Sequence, residues 1–286
     1  MLKEQFNDLN IRKVLTKSSR SIIYLLSDGR VFKRFCFKEI ERYEKYNISL
    51  EEKILVGEKL KTSKEFYEPL SAVYRKNRLI GYTMKFNNGK RFDKYIDLLS
   101  YRRKLNNLHF ILIFFTELEY IVKKGYELGL VFPDLCTPSN IFISKMGYIS
   151  LTDYDGFQID DYFSFSVSSA INNKNKIFKP KFYSNDLFTK ELDKYSLMVL
   201  FLEFITSLDI SLIDTEFEND KGLLSVRSLA RYINLDNEEI IAMIEDTLSV
   251  DNEGVYVSVV ANAIASKYDL FIYKEDGKYN KILIKK

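Results

Sequence analysis

Two aspartates and an asparagine lie close together in the middle of the chain, around a short apolar hairpin pattern. Asp134 and Asn140 bracket a loop that leads into Ile-Phe-Ile, and Asp153 follows the second apolar run at a Tyr-Asp-Gly turn. One carboxylate can orient an attacking hydroxyl and accept its proton, while another carboxylate and an amide oxygen can bind Mg²⁺ against phosphates. The segment 131–156 therefore has the residue types that phosphoryl transfer requires.

The elements before this segment are predicted to be mostly strands. Their apolar and β-branched residues, separated by Asp28-Gly29 and Lys76-Asn77 turns, predict strands over 21–26, 30–37, 70–75 and 79–86. Lys33 shares one face of the second strand with two apolar residues, because side chains alternate along a strand. Ser49 is a suitable N-cap for a helix over 49–60, with Glu51 and Glu52 in its first turn.

The rest of the chain is predicted to be chiefly helical. Apolar residues recur at helical spacing over 108–122, 193–205, 225–232 and 237–248, with a terminal hairpin over 270–284. Asn87-Asn88-Gly89 is a loop signal between the two regions. We therefore expect an α+β protein with a β-rich part over 1–87 and a larger, mainly helical part over 88–286.

Composition limits the classes of function. Hydrophobic residues make up 46% of the 286, which allows a sizeable core, and the net charge of +3 is too small to indicate nucleic-acid binding. The apolar stretches are too short to span a membrane, and the N-terminus lacks a signal-peptide pattern. Two cysteines and one histidine form no metal-ligand pattern, so we expect a reduced, cytoplasmic protein.

The segment from Asp134 to Gly156 resembles the protein-kinase catalytic loop and the metal-binding turn that follows it. The resemblance extends from about Leu15 to Ala265 and is to divergent bacterial members of the superfamily. It implies a bilobal kinase-like fold that uses ATP and Mg²⁺. Asp134 would be the catalytic base, and Asn140 and Asp153 would bind the metal.

The same resemblance assigns roles in the β-rich part. Val31-Phe32-Lys33 resembles the strand whose lysine pairs with the nucleotide phosphates, and Glu51 would be its helix partner, with Glu52 as the alternative. Ser18 and Ser19 lie where a loop should cover the phosphates. Met84, just before a hinge over 85–87, would line the adenine pocket. Asp193, at the start of an apolar helix, would brace the catalytic loop through backbone N–H groups.

Several positions depart from the family pattern. Phe132-Pro133 replaces the usual His-Arg. In the family that Arg contacts a phosphorylated activation loop, so we expect regulation by such phosphorylation to be absent. The loop from Asp134 to Asn140 is one residue longer than the pattern, and the nucleotide loop has no glycine. Asp155 stands where the turn glycine should be, and no Ala-Pro-Glu string follows.

Taken alone, Lys33 could be a surface lysine, Glu51 a helix-start charge and Asp153 a turn residue, since an Asp and an Asn six residues apart also occur by chance. Their order along the chain is what favours a kinase. The leading hypothesis is a protein Ser/Thr kinase with a protein substrate or partner. The alternatives are a pseudokinase that binds nucleotide without turnover and a small-molecule kinase of the same fold.

Overall fold

The protein is described by a computed structural model. It describes residues 1–60, 63–94, 105–167, 179–206, 226, 237–249, 251–268, 270, 274–275 and 278–279, with the backbone alone for 105–107 and for the last four. The helix predicted over 225–232 lies outside these residues except for Val226. Within the described part, the chain is mixed α+β, with a β-rich N-terminal sheet and a helical C-terminal part.

The N-terminal part is a six-stranded sheet. Its strands are β1 (Leu2–Gln5), β2 (Ile11–Lys17), β3 (Ser21–Leu26), β4 (Arg30–Phe35), β5 (Pro69–Arg75) and β6 (Arg78–Lys85). Their spatial order is β1-β5-β6-β4-β3-β2, with only the β1–β5 pair parallel. All four predicted strands are present within two residues of their expected ends, and the order puts β4, which carries Lys33, near the middle.

Two helices lie between β4 and β5. The first, α1 (Phe37–Lys45), was not predicted; Ile40 and Tyr43 are its buried side chains, and its other residues are polar apart from the exposed Phe37. The second, α2 (Leu50–Val56), begins where predicted, since the Ser49 side chain accepts a hydrogen bond from the Glu52 N–H. A single 3₁₀ turn, Gly57–Leu60, completes the predicted span.

The chain leaves the six-stranded sheet after Lys85 and passes through a short loop held by Asn87. Asn87 donates from its amide to the Ser150 hydroxyl (3.0 Å) and accepts from the Gly89 N–H (2.8 Å). The strand β7 (Lys90–Arg91) then pairs with β9 (Ile141–Ile143), and β9 pairs with β10 (Ile149–Leu151). The loop signal at 87–89 thus marks the point where the chain passes from the large sheet to a second, smaller one.

Four helices form the described C-terminal part: α3 (Leu105–Glu127), α4 (Lys190–Thr206), α5 (Glu238–Leu248) and α6 (Val257–Lys267). The helix α4 is buried on nearly every side, which agrees with its almost continuous apolar sequence, and it contacts α3, α5 and α6. It therefore forms the centre of this part and carries Asp193 into the interior.

Three short strand pairs complete the described part. They are β8 (Leu130–Val131) with β11 (Gln158–Ile159), β12 (Tyr183–Ser184) with β13 (Leu187–Phe188), and β14 (Lys274–Glu275) with β15 (Lys278–Tyr279). The last pair confirms the centre of the predicted terminal hairpin, while residues 271–273, 276–277 and 280–284 lie outside the described part. No helix in the described ranges has the length and apolar character needed to cross a membrane.

Candidate functional site

A pocket lies between the 132–140 loop and the turn at 153–156. Phe132, Leu135, Leu151 and Phe157 contribute apolar wall, and Asp134, Asn140 and Asp153 contribute polar groups. The three residues with the proposed base and metal roles therefore line one concave surface. The pocket encloses a volume of about 10 Å³, which is room for about one water molecule.

The loop before this pocket is held from inside the protein by Asp193. Its carboxylate accepts a hydrogen bond from the Phe132 backbone N–H (2.9 Å), which is the contact that the resemblance implies. Asp193 is fully buried, and this burial raises the pKa of its carboxyl to about 8. A buried acceptor aimed at the main chain fixes the position at which the loop leaves β8.

Asp134 is held by hydrogen bonds to both carboxylate oxygens. The Thr137 hydroxyl donates to Oδ1 (2.5 Å), while Ser166 donates to Oδ2 (3.1 Å). The Asn140 amide also donates to Oδ2, at 3.5 Å. Burial raises the pKa of Asp134, and Asp153 adds a repulsive contribution, although the two hydroxyls oppose the change. The side chain is thus oriented and more basic than a surface aspartate.

The β9–β10 hairpin brings Asn140 and Asp153 to the same end. Asn140 precedes β9, and its carbonyl oxygen accepts from the Thr152 N–H (2.9 Å) just after β10. Asp153 follows with a φ of 74°, in the left-handed region that residues other than glycine seldom adopt. Such conformations concentrate at functional turns, and here the reversal brings Asp153 and Asp155 towards β4.

Lys33 connects the sheet to this turn. Its ammonium, only 5% exposed as a side chain, donates to Asp153 Oδ1 and to Asp155 Oδ1, the latter at 2.6 Å. Tyr82, directly opposite Lys33 in the β4–β6 pair, donates to the same Asp155 oxygen (2.8 Å). Burial opposes the charge on Lys33, but the two carboxylates outweigh it and raise its pKa.

Asp155 is therefore the second anionic partner of Lys33. Burial opposes its ionisation, but Lys33 and the Tyr82 hydroxyl outweigh burial and lower the pKa of Asp155. The sequence singled out this residue only as a departure from the turn pattern. Its role as a partner depends on the sheet register, which no local signal specifies.

Glu51, in contrast, does not contact Lys33. It accepts from Lys3 (2.9 Å) and from the Tyr74 hydroxyl (2.5 Å), and these two hydrogen bonds lower its pKa. Glu52 accepts from the Tyr162 hydroxyl (3.2 Å), so neither predicted glutamate reaches Lys33. The predicted Lys33–Glu51 pair is wrong for this conformation, because α2 turns both glutamates away from the site.

The α2 residue that faces the site is Lys53. It is fully buried, and its ammonium donates to the carbonyl oxygens of Asp155 (2.8 Å) and Phe163 (3.1 Å). Burial lowers the pKa of Lys53 to about 7. The sequence signal was available, since Leu50, Lys53 and Ile54 are spaced as one helical face. Sequence reasoning missed it by giving the glutamates the inward positions.

The predicted nucleotide-contacting residues lie in the β-rich part. Ser18 and Ser19 form the exposed turn between β2 and β3, where the Ser18 hydroxyl accepts from the N–H groups of Arg20 (3.2 Å) and Ser21 (3.0 Å). Met84 is buried in β6, opposite Val31 of β4. Their contacts with nucleotide stay predictions.

The described residues contain no group of three or more His, Cys, Asp or Glu side chains arranged to hold a metal ion. The predicted ligands Asn140 and Asp153 both line the pocket, and their binding of a metal ion stays a prediction. A comparison with protein-family models finds no match, and a comparison with curated protein sequences finds none either.

Proposed function

We propose that this protein is an ATP- and Mg²⁺-dependent phosphotransferase with a protein-kinase-like fold, acting on a Ser or Thr hydroxyl of a protein. One observation carries the proposal. A buried lysine of the sheet contacts Asp153, and Asp153 lines one pocket with Asp134 and Asn140. These four side chains come from a strand, one loop and one turn, and they are the residue types that phosphoryl transfer uses.

The donor atoms of the pocket fit Mg²⁺. Asp153 offers a carboxylate, and Asn140 directs its amide nitrogen to Asp134, which leaves the amide oxygen as its ligand atom. Magnesium is commonly bound by one or two protein oxygens together with phosphates and water, so a larger acidic cluster is not required. When bound, the metal would neutralise phosphate charge.

Lys33 would position the nucleotide phosphates. It has two carboxylate partners, and we expect it to keep Asp155 while exchanging Asp153 for a phosphate oxygen. Asp155 thus takes the orienting role that the resemblance gives to a helix glutamate. Tyr82 donates to the same Asp155 oxygen, and Lys53 of α2 donates to the Asp155 backbone carbonyl oxygen, so both the residue and its carboxylate are held in place.

Asp134 would accept the proton of the acceptor hydroxyl. Its raised pKa favours proton acceptance, and its two oxygens already accept hydroxyl hydrogen bonds. Asp193 would support this role indirectly, since it holds the start of the loop through the Phe132 N–H.

A second candidate is a nucleotide-binding module that does not transfer phosphate. The pairing of Lys33 with two carboxylates favours it, because phosphate must compete with both of them for one ammonium. Under this hypothesis nucleotide raises the melting temperature, as expected for a ligand of the folded state. No ADP is formed.

The test compares ADP formation and phosphate transfer to casein by the wild type, Asp134→Ala and Asp153→Ala. Asp161→Ala is the matched control, since Asp161 is an exposed aspartate close in sequence to the turn. We expect Asp134→Ala to reduce the rate by about 10²–10⁴-fold, the usual contribution of a general base. We expect Asp153→Ala to show no detectable phosphate transfer and the Asp161→Ala control to have the rate of the wild type. Equal rates in all four proteins would refute the proposal.

A further inference from the structure

A serine that follows the turn at 153–156 contacts Asp134, the proposed base, through its hydroxyl. Ser166 is buried, and its Oγ donates to Asp134 Oδ2 at 3.1 Å. The same oxygen accepts a hydrogen bond from the Arg20 guanidinium at 3.0 Å. This single hydroxyl therefore links an arginine of the β2–β3 turn to the carboxylate that would deprotonate an acceptor.

The main chain around Ser166 is held in place. The Ser164 hydroxyl donates to the Gly156 carbonyl oxygen (2.7 Å) and accepts from the Ser166 N–H (3.0 Å). Phe165 packs edge-on against Tyr43, with ring centroids 5.0 Å apart. The position of the Ser166 hydroxyl is thus set by contacts with the turn and with α1.

We propose that Ser166 is a phospho-acceptor within its own chain. The proposal rests on the phosphotransferase function proposed above and identifies one acceptor for that same site. Its Oγ is within the distance of about 2.6–3.2 Å that a general base requires from the hydroxyl whose proton it takes. No rearrangement of Ser166 is needed to bring the acceptor and Asp134 together.

The step balances with a nucleoside triphosphate as the co-reactant. Ser166 Oγ forms a bond to the terminal phosphorus, and the bond from that phosphorus to the β–γ bridging oxygen breaks. The electron pair of the broken bond leaves with the nucleoside diphosphate. The hydroxyl proton passes to Asp134 and then to water, which leaves phosphoserine.

Arg20 distinguishes Ser166 from the other hydroxyl on Asp134. Thr137 also donates to this carboxylate, but it belongs to the same short loop, three residues away. The Ser166 oxygen already contacts a guanidinium, a group that pairs strongly with phosphate. Since a phosphate beside Asp134 is repelled by the carboxylate, a cation on the same oxygen offsets part of that repulsion.

The experiment uses the whole chain with ATP and Mg²⁺, followed by intact-mass measurement and peptide mapping. We expect one phosphate on Ser166, its loss in Ser166→Ala, and its retention in Ser184→Ala, an exposed serine of β12. Because transfer is within one chain, tenfold dilution should not change the rate per molecule. The wild type should also fail to label Ser166 of an Asp153→Ala protein.

Parallel measurement of ADP separates the two proposals. ADP formation that depends on Asp153, without phosphate on Ser166, would overturn this inference and leave the proposed function standing. Phosphate on another residue, or labelling of Ser166 only between molecules, would also overturn it. Absence of both ADP and phosphoserine would overturn both proposals. Arg20→Gln keeps the acceptor hydroxyl, and we expect it to slow labelling of Ser166 severalfold.

Discussion

The buried amine of Lys53 should make the stability of the protein depend on pH in a defined direction. Lys53 donates to the carbonyl oxygens of Asp155 and Phe163 and is fully buried. In the folded protein burial lowers its pKa from 10.5 to about 7, although Asp155 and Asp153 oppose this change. In the unfolded chain the amine returns to its ordinary pKa.

The sign follows from proton binding. Between pH 7 and pH 10 the unfolded chain keeps the proton of Lys53 and the folded protein does not, so the unfolding free energy rises with pH. A single proton gives a slope of about 1.4 kcal/mol per pH unit. Below pH 7 the folded protein contains a buried ammonium, which lowers the unfolding free energy by about 5 kcal/mol at most.

Lys53→Met removes this titration while keeping a side chain of similar length. We expect urea unfolding to show the wild type gaining about 2–3 kcal/mol on the variant between pH 7 and pH 9. Other buried groups titrate in this range, such as Asp193, with a pKa of about 8. Their contributions are present in both proteins and cancel in the difference.

The matched control is Lys38→Met, on the exposed face of α1. This substitution removes the same charge from the surface and should leave the pH dependence of stability unchanged. Parallel pH curves for the wild type and Lys53→Met would refute the reasoning. That result would mean that the carbonyl oxygens and Asp155 keep the buried amine protonated in the folded protein.

Other substitutions test the remaining geometry. Asp155→Asn should lower the unfolding free energy by about 3 kcal/mol, because it leaves the buried Lys33 with one anionic partner. Glu51→Gln, at a half-exposed pair, should cost less than about 1 kcal/mol and leave phosphate transfer unchanged. If urea unfolding showed a larger loss of unfolding free energy for Glu51→Gln than for Asp155→Asn, Glu51 would be the partner of Lys33 after all. Gly57→Ala should destabilise by about 1–3 kcal/mol, since an added Cβ would lie 2.8 Å from the Tyr154 ring. A melting temperature equal to that of the wild type would contradict this packing.

Local patterns in the sequence predicted the elements whose causes are local. Asp28-Gly29 joins β3 and β4 as expected, and Ser49 and Asn237 cap their helices through side-chain hydrogen bonds to nearby N–H groups. The loop from Asp134 to Asn140 and the following hairpin were also found where predicted. Helix α1 was missed although Phe37, Ile40 and Tyr43 recur every three residues, because its first residue was assigned to the strand predicted over 30–37.

The partners of Lys33 were decided only by tertiary structure. Asp153 and Asp155 are 120 and 122 residues away along the chain, and they reach Lys33 through the left-handed turn at Asp153. A rotation of α2 by one or two residues would have exchanged Lys53 for a glutamate. The sequence by itself determined that charged groups would meet at this site. The packing of α2 against the sheet and the turn decided that the helix would supply a lysine and the turn both carboxylates, because helix rotation depends on which face buries the most apolar surface.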